Sequence, residues 1–218
     1  MDDLILQLNS PLFDGIKPSD MKPMLHCIGY RVGKYSKGEI IAFEGENLKH
    51  IGIVLSGSVD MVKEDIWGNR TLLIRSKKDD VFGETFACGE DKLSNVHFLA
   101  SEDTSVLFLS FDQVMHNCTN ACNCHRKLSD NMLRVIAAKN RELMRKVEVV
   151  SKRSIREKVL SNLSLLAQTQ ESRYVEVPMG RLELAEYLCV DRSALTRELA
   201  KMQDEGIIDY DKNIFRVL

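Results

Sequence analysis

Between Cys27 and Ser110 the chain alternates short apolar runs with polar breaks: "IGYRVGKY", "GEIIAF", "IGIVLSG", "VDMV", "TLLIR", "VHFLA" and "VLFLS". Glycine recurs at the breaks, in Lys37-Gly38, Glu44-Gly45, Ser56-Gly57, Trp67-Gly68 and Phe82-Gly83. Short β-type runs at even spacing with turn residues between them predict an antiparallel sandwich or jelly roll. Helical segments are expected ahead of it, around residues 2–8 and 18–26. Near His125 the period changes. "HRKLSDNMLRVIAAKNRELMRKVEVVS" holds no glycine or proline, and its apolar residues Leu128, Met132, Ile136, Leu143, Val147 and Val150 step by three, four or seven. That is one long amphipathic helix. Its narrow apolar seam and Lys/Arg-rich flanks suit pairing with a second copy, Asn140 acting as a polar register residue between Ile136 and Leu143. The competing arrangement lays the helix along its own sandwich.

After Ser151 another helix, "SIREKVLSNLSLLAQ", is followed by a short strand, "YVEVP", and then by helix, tight turn, helix and a terminal hairpin around Asp211-Lys212-Asn213. In "GRLELAEYLCVDRSALTRELAKMQDEGII" the first helix is expected to bury Leu182, Leu184, Ala185 and Leu188. A turn follows at Cys189-Val190, Asp191 is placed to cap the next helix, and Leu195, Leu199 and Met202 form its inner face. The outer face then carries Arg192, Ser193, Thr196, Arg197 and Lys201. This is the chemistry of a helix-turn-helix reading DNA: residues near the start of the second helix reach base edges, arginine matching guanine and Ser/Thr giving short hydrogen bonds. Glu198 and Asp204 dilute that positive charge.

Composition narrows the class. The 218 residues are 44% apolar, enough for real cores. No apolar run reaches the length of a membrane helix, and "MDDLILQLNS" begins with acids rather than with the basic start of a signal peptide, so a cytoplasmic protein without a membrane partner is expected. The net charge of −2 is unevenly spread. Residues 1–125 carry 12 basic against 18 acidic residues, residues 126–151 carry 7 against 3, and residues 152–218 carry 11 of each. Any nucleic-acid binding by the last third therefore rests on a local basic face.

Enzyme readings find little support. A metal-dependent jelly-roll enzyme needs clustered His and Glu ligands, whereas His26, His50, His97, His116 and His125 are scattered, and no nucleophile–base pair or Walker-type loop is present. The six cysteines are expected reduced. "CTNACNCH" brings Cys118, Cys122, Cys124 and His125 together as a weak soft-metal or redox set, but without a C-x2-C knuckle, so no metal is assigned. Gly83-Glu84-Thr85, in "VFGETFACGEDKLSNVHF", pairs bare backbone and helix-start N–H groups with a carboxylate, as a small polar ligand would need. Glu84 equally suits a residue complementing a helix dipole.

Taken together, "VLSGSVDMVKED", "VFGET", the long helix and "LAEYLCVDRSALTRELAKMQDEGII" resemble the CRP/FNR family of transcription regulators over roughly residues 10–218. The resemblance implies an α+β chain: a cyclic-nucleotide-binding-like jelly roll sensing an effector (1–125), a dimerisation helix (126–151) and a winged helix-turn-helix (152–218). It places Arg192, Ser193 and Arg197 at base-contacting positions and makes Arg181 and Lys201 candidates for phosphate contact. It implies a homodimer on a pseudo-palindromic double-stranded operator, with RNA polymerase as a further partner. It also identifies "VFGETFACGEDKLSNVHF" as the family's phosphate-binding cassette, in which members that bind cyclic AMP carry Arg-Ser about ten residues after Gly-Glu. Here Ser94 and Asn95 occupy those places. Loss of the guanidinium removes the bidentate partner of a buried phosphate, so the effector is expected to be something other than cyclic AMP, and its identity is unknown. Lys139 and Asn140 correspond to the family's base-contacting positions on the long helix. Lys139 is expected to point to solvent beside Arg141, with an anion-binding role as the alternative. Two rival functions stand beside this one: a metal- or redox-sensing regulator built on the Cys118–His125 set, and a nucleotide-binding module that does not touch DNA.

Overall fold

The computed structural model describes residues 8–115 and 123–217. The expected helix at residues 2–8 therefore lies outside the described residues, apart from residue 8. The chain divides into two compact units, one of Met1–Asn69 and Leu73–Asn140, the other of Arg70–Leu72 and Arg141–Leu218.

In the first unit a single 3-10 turn, Pro11–Phe13, leads to helix α1, Pro18–Ile28, and then to eight strands: β1 Tyr30–Tyr35, β2 Ile40–Ala42, β3 His50–Ser56, β4 Val59–Glu64, β5 Arg70–Ser76, β6 Val81–Phe82, β7 His97–Ala100 and β8 Thr104–Ser110. A one-turn helix, α2 (Glu84–Ala87), separates β6 from β7, and α3 (Phe111–Met115) follows β8. The strands form two four-stranded sheets in the orders β1-β8-β3-β6 and β2-β7-β4-β5. The pairings of β1, β3, β6 and β8, and of β7 with β2 and β4, are antiparallel. The expected sandwich is present.

The continuous apolar spelling of β3 and β8 has a simple cause. One face of each, through Val54, Val106 and Phe108, packs between the sheets with Ala42, Val59, Phe82, Val96 and Phe98. The other face, through Ile51, Ile53, Leu55, Leu107 and Leu109, packs with Leu12, Leu25, Leu128 and Met132 of the helical segments. A strand covered on both sides loses the polar half of its alternation. Gly52 makes room for the Phe82 ring of the neighbouring strand β6 in the same sheet, since a Cβ there would sit 2.3 Å from that ring.

The long helix, α4, runs from Asn123 to Val150. Its expected seam proves to be two seams. Leu128, Met132 and Ile136 belong to the core of the first unit together with Val135. A separate stripe, Leu133, Ala137, Asn140, Met144 and Val147, alternates steps of four and three and is exposed throughout. Leu133, Met144 and Val147 are 61%, 65% and 63% exposed. Arg134, Arg141 and Arg145 are exposed beside it.

The second unit continues from Arg141 of α4 into α5 (Ile155–Gln170), β9 (Tyr174–Glu176), α6 (Arg181–Leu188), α7 (Arg192–Asp204), β10 (Ile208–Asp211) and β11 (Ile214–Val217). Ser154 and Glu157 form a reciprocal capping box that starts α5. Strands β10, β11 and β9 make a small antiparallel sheet, the expected wing. Leu163, Leu184, Ala185, Leu188, Leu195, Leu199, Met202 and Phe215 share one core. Leu182 departs from the expected inner face: it is 53% exposed. In an eight-residue helix the apolar stripe is two turns long, and Leu184, Ala185 and Leu188 fill it without Leu182.

Candidate functional site

The helix-turn-helix is built by local chemistry. Gly180 N donates to Glu183 Oε2 at 2.8 Å where α6 begins. Cys189 ends α6 in the left-handed region, φ +53°, and turns the chain. Asp191 then caps α7, its Oδ1 accepting from Ala194 N at 2.8 Å. The Ser193 hydroxyl also donates to this oxygen, at 2.5 Å. The Ser193 hydroxyl, and after it the Ala194 N–H, hold the Asp191 carboxyl below the usual carboxylate range.

Arg192, Ser193, Thr196, Arg197 and Lys201 are all exposed on α7, while Leu195, Leu199 and Met202 are fully buried beneath them. Thr196 Oγ1 donates to Arg192 O at 2.9 Å, and Arg197 Nε to Ser193 O at 3.3 Å. Lys201 Nζ lies 3.9 Å from Glu205 Oε1. Glu198, counted from the sequence as diluting the basic face, is taken up elsewhere. Arg156 of α5 donates through Nε to Glu198 Oε1 at 2.7 Å and through Nη1 to Glu205 Oε2 at 2.6 Å. Both hydrogen bonds, that to Glu205 first, push the Arg156 guanidinium further above its already high pKa. Arg156 drew no notice in the sequence because its partners lie 42 and 49 residues away.

Arg181 sits differently from the exposed residues on the outer face of α7. Its guanidinium lies 5.0 Å from the Tyr210 ring centroid and 5.4 Å from that of Phe215, and its Nη2 donates to Lys212 O at 3.1 Å. It fastens the wing hairpin to the start of α6.

In the sandwich, Gly83 adopts φ +80° and opens α2, a conformation that suits glycine. Glu84 follows, 4% exposed, with the Thr85 hydroxyl donating to its Oε1 at 3.4 Å. Ser94 is 2% exposed, and its hydroxyl closes its own turn: Oγ donates to Val96 O at 2.7 Å and accepts from Val96 N at 3.3 Å. Asn95 is exposed, its carbonyl accepting from Lys63 Nζ at 2.9 Å. Lys139 does not follow the solvent expectation: it is half-buried, with Nζ 3.5 Å from the buried Ser76 Oγ. Asn140 is exposed on the second stripe of α4. A basic residue that the motif did not flag is Arg75, next to Ser76. It grips Asp60 through Nε–Oδ1 and Nη2–Oδ2, both 2.7 Å, with side chains 13% and 8% exposed. Such a pair persists in low dielectric because its geometry is bidentate.

Of the cysteine–histidine set, Cys118 and Cys122 lie outside the described residues. His125 is buried, and Cys124 Sγ stands 4.0 Å from Asp20 Oδ2. Among the described residues no three His, Cys, Asp or Glu side chains converge in metal-binding geometry, and no helix is long and apolar enough to cross a membrane.

Two family models match this geometry in sequence: the cyclic nucleotide-binding domain over residues 32–119 and the Crp-like helix-turn-helix domain over residues 157–218. Among curated relatives, the cyclic AMP receptor protein of Thermus thermophilus is 23% identical over 199 residues, 91% of this chain and 88% of that protein. Among solved structures, the c-di-GMP responsive regulator CLP of Xanthomonas campestris superposes with a TM-score of 0.74 at 15% identity, covering 92% of this chain and 99% of that one. FixK2 of Bradyrhizobium japonicum gives 0.67 at 18%, covering 87% and 92%. At such identities the structures attest the fold, and the two sequence models attest its components. These comparisons do not favour a metal- or redox-sensing protein or a module without DNA-binding function. A cyclic-nucleotide-binding-type sandwich, a long helix and a Crp-like helix-turn-helix in one chain make this protein a member of the CRP/FNR family of transcription regulators.

Proposed function

We propose that this regulator is a cytoplasmic homodimer, without enzymatic activity, that binds a pseudo-palindromic operator and responds to an effector other than cyclic AMP. In this reading residues 1–125 sense the effector, residues 126–151 pair the protomers, and residues 152–218 hold the DNA. The observation that carries it is the outer face of α7. Arg192, Ser193, Thr196, Arg197 and Lys201 are exposed there together, while the acids Glu198 and Glu205 are bonded to Arg156. A helix with such a face places its N-terminal residues in a major groove, two copies reading half-sites about one turn apart. Arg181, tied to the wing, positions the hairpin beside the backbone, and Lys201 supplies phosphate contact. The stripe of α4 provides the pairing surface, with Asn140 setting register. An effector need only prefer one dimer geometry to change DNA affinity, and RNA polymerase is the partner a promoter-bound dimer meets.

The sandwich retains Gly83, Glu84 and Thr85 of the cassette, but the Ser94 hydroxyl is spent on its own turn and cannot replace a guanidinium. The cations near β5 differ in state: Arg75 is bonded to Asp60, and Lys139 reaches Ser76, which keeps an anionic effector compatible with the pocket. Two measurements test the reading. Selection from a random duplex pool is expected to enrich a two-fold-symmetric site, and Arg197→Ala is expected to lose about 1–3 kcal/mol per lost bidentate contact while the dimer persists. Unchanged specificity in that variant refutes the assignment of α7. Millimolar cyclic AMP is expected to leave the melting temperature unmoved, and a large stabilisation refutes the account of Ser94.

A further inference from the structure

The hydroxyl groups on the outer face of α7 do not have free rotors. An ionised carboxylate only accepts, and Asp191 is kept ionised by its own hydrogen bonds. The single hydroxyl proton of Ser193 therefore lies on Asp191 Oδ1, at an O···O distance of 2.5 Å typical of a strong charge-assisted bond. A carbonyl likewise only accepts, so the Thr196 proton lies on Arg192 O at 2.9 Å. Both oxygens are on exposed residues one turn apart and present lone pairs alone to whatever enters. The adjacent arginine has the opposite polarity: Arg197 spends Nε on Ser193 O, leaving its two Nη groups to donate.

In the major groove adenine and cytosine offer an exocyclic amine, N6 or N4, whereas guanine O6 and thymine O4 are acceptors. A hydroxyl with its proton committed bonds the first pair and meets the second lone pair to lone pair. We propose that Ser193, with Thr196 beside it, is a specificity determinant that selects an amino base, adenine or cytosine, over a keto base at the operator position it touches. Asp191 is the positioning residue that imposes this polarity on Ser193. The inference rests on α7 being the recognition helix, and it adds the chemistry of the base that this helix requires.

The test begins with the full-length protein and the operator that it selects from a random duplex pool. Every single-base substitution is titrated against wild type, Ser193→Ala and Asp191→Gly, glycine being a tolerated helix cap that offers no acceptor side chain. One half-site position is expected to lose its discrimination in Ser193→Ala, and wild type is expected to prefer adenine or cytosine there. At that position an analogue lacking the amine, purine for adenine or 2-pyrimidinone for cytosine, is expected to weaken wild-type binding about tenfold and Ser193→Ala binding not at all. Asp191→Gly frees the Ser193 proton, so guanine or thymine is expected to be tolerated there. The inference is overturned if that base is guanine or thymine, if Asp191→Gly keeps the wild-type preference, or if no position responds to Ser193→Ala. Failure to enrich any site would instead overturn the DNA-binding reading beneath it.

Discussion

Replacing Met144 and Val147 by glutamate places two carboxylates on the exposed stripe of α4 without touching any core. Full burial of a Leu, Val or Met side chain is worth about 1.5–3 kcal/mol. With Met144 65% and Val147 63% exposed, each has about 1–2 kcal/mol still to gain from a partner. In a two-fold dimer each residue counts twice, so the double variant forfeits about 4–8 kcal/mol, with carboxylate repulsion in addition. At 1.4 kcal/mol per decade the dimer dissociation constant rises by roughly a thousandfold or more. Sedimentation velocity at micromolar protein is expected to give a dimer for wild type and a monomer for Met144→Glu/Val147→Glu, with unchanged helix content by circular dichroism. Ala138→Glu is the control: the residue is exposed on α4 but away from the stripe, and its dimer is expected to survive. A double variant that still sediments as a dimer, or a control that dissociates equally, refutes the pairing surface.

Two further outcomes can be stated. Lys146 is 6% exposed, its Nζ lies 4.0 Å from the Tyr187 ring centroid and donates to the Leu72 carbonyl of the same unit, and burial lowers its pKa from 10.5 to about 8. The unfolded chain therefore binds more protons between roughly pH 8 and 10.5, so stability rises with pH across that window, and the cost of the buried charge is fully present below it. Lys146→Met is expected to stabilise the protein at pH 7 by up to about 3 kcal/mol, less what the Tyr187 ring returns, with the gain fading towards pH 10.5; a lower melting temperature at pH 7 refutes this. Arg156→Gln releases Glu198 and Glu205 beside the basic face of α7. Its affinity for random duplex DNA is expected to fall, and the added changes Glu198→Gln and Glu205→Gln to restore it; no recovery would mean that Arg156 acts through geometry rather than charge.

Much of this protein is legible along the chain because its determinants are local. Glycine-punctuated runs spell the sandwich, the uninterrupted period of residues 125–151 spells α4, and Asp191 followed by Leu195, Leu199 and Met202 spells the cap and inner face of α7. Each depends on neighbours within one or two turns, where propensity and period act directly. Leu182 shows the limit of that reasoning, since a short helix has room on its core for only part of its apolar residues.

Which apolar stripe of α4 serves its own unit and which stays exposed was decided by packing. Leu128, Met132 and Ile136 and the exposed Leu133, Met144 and Val147 all satisfy a helical period, and only the positions of β3, β8 and α1 separate them. Charge partners are non-local for the same reason. Arg156 meets Glu198 and Glu205, and Arg75 meets Asp60, because folding brings distant segments within 3 Å, a distance that no spacing rule encodes. The sequence by itself determined the elements, the family and the residue types on the outer face of α7. The tertiary structure alone decided which acids beside α7 are taken up by Arg156, since that depends on where a partner more than forty residues away stands in space.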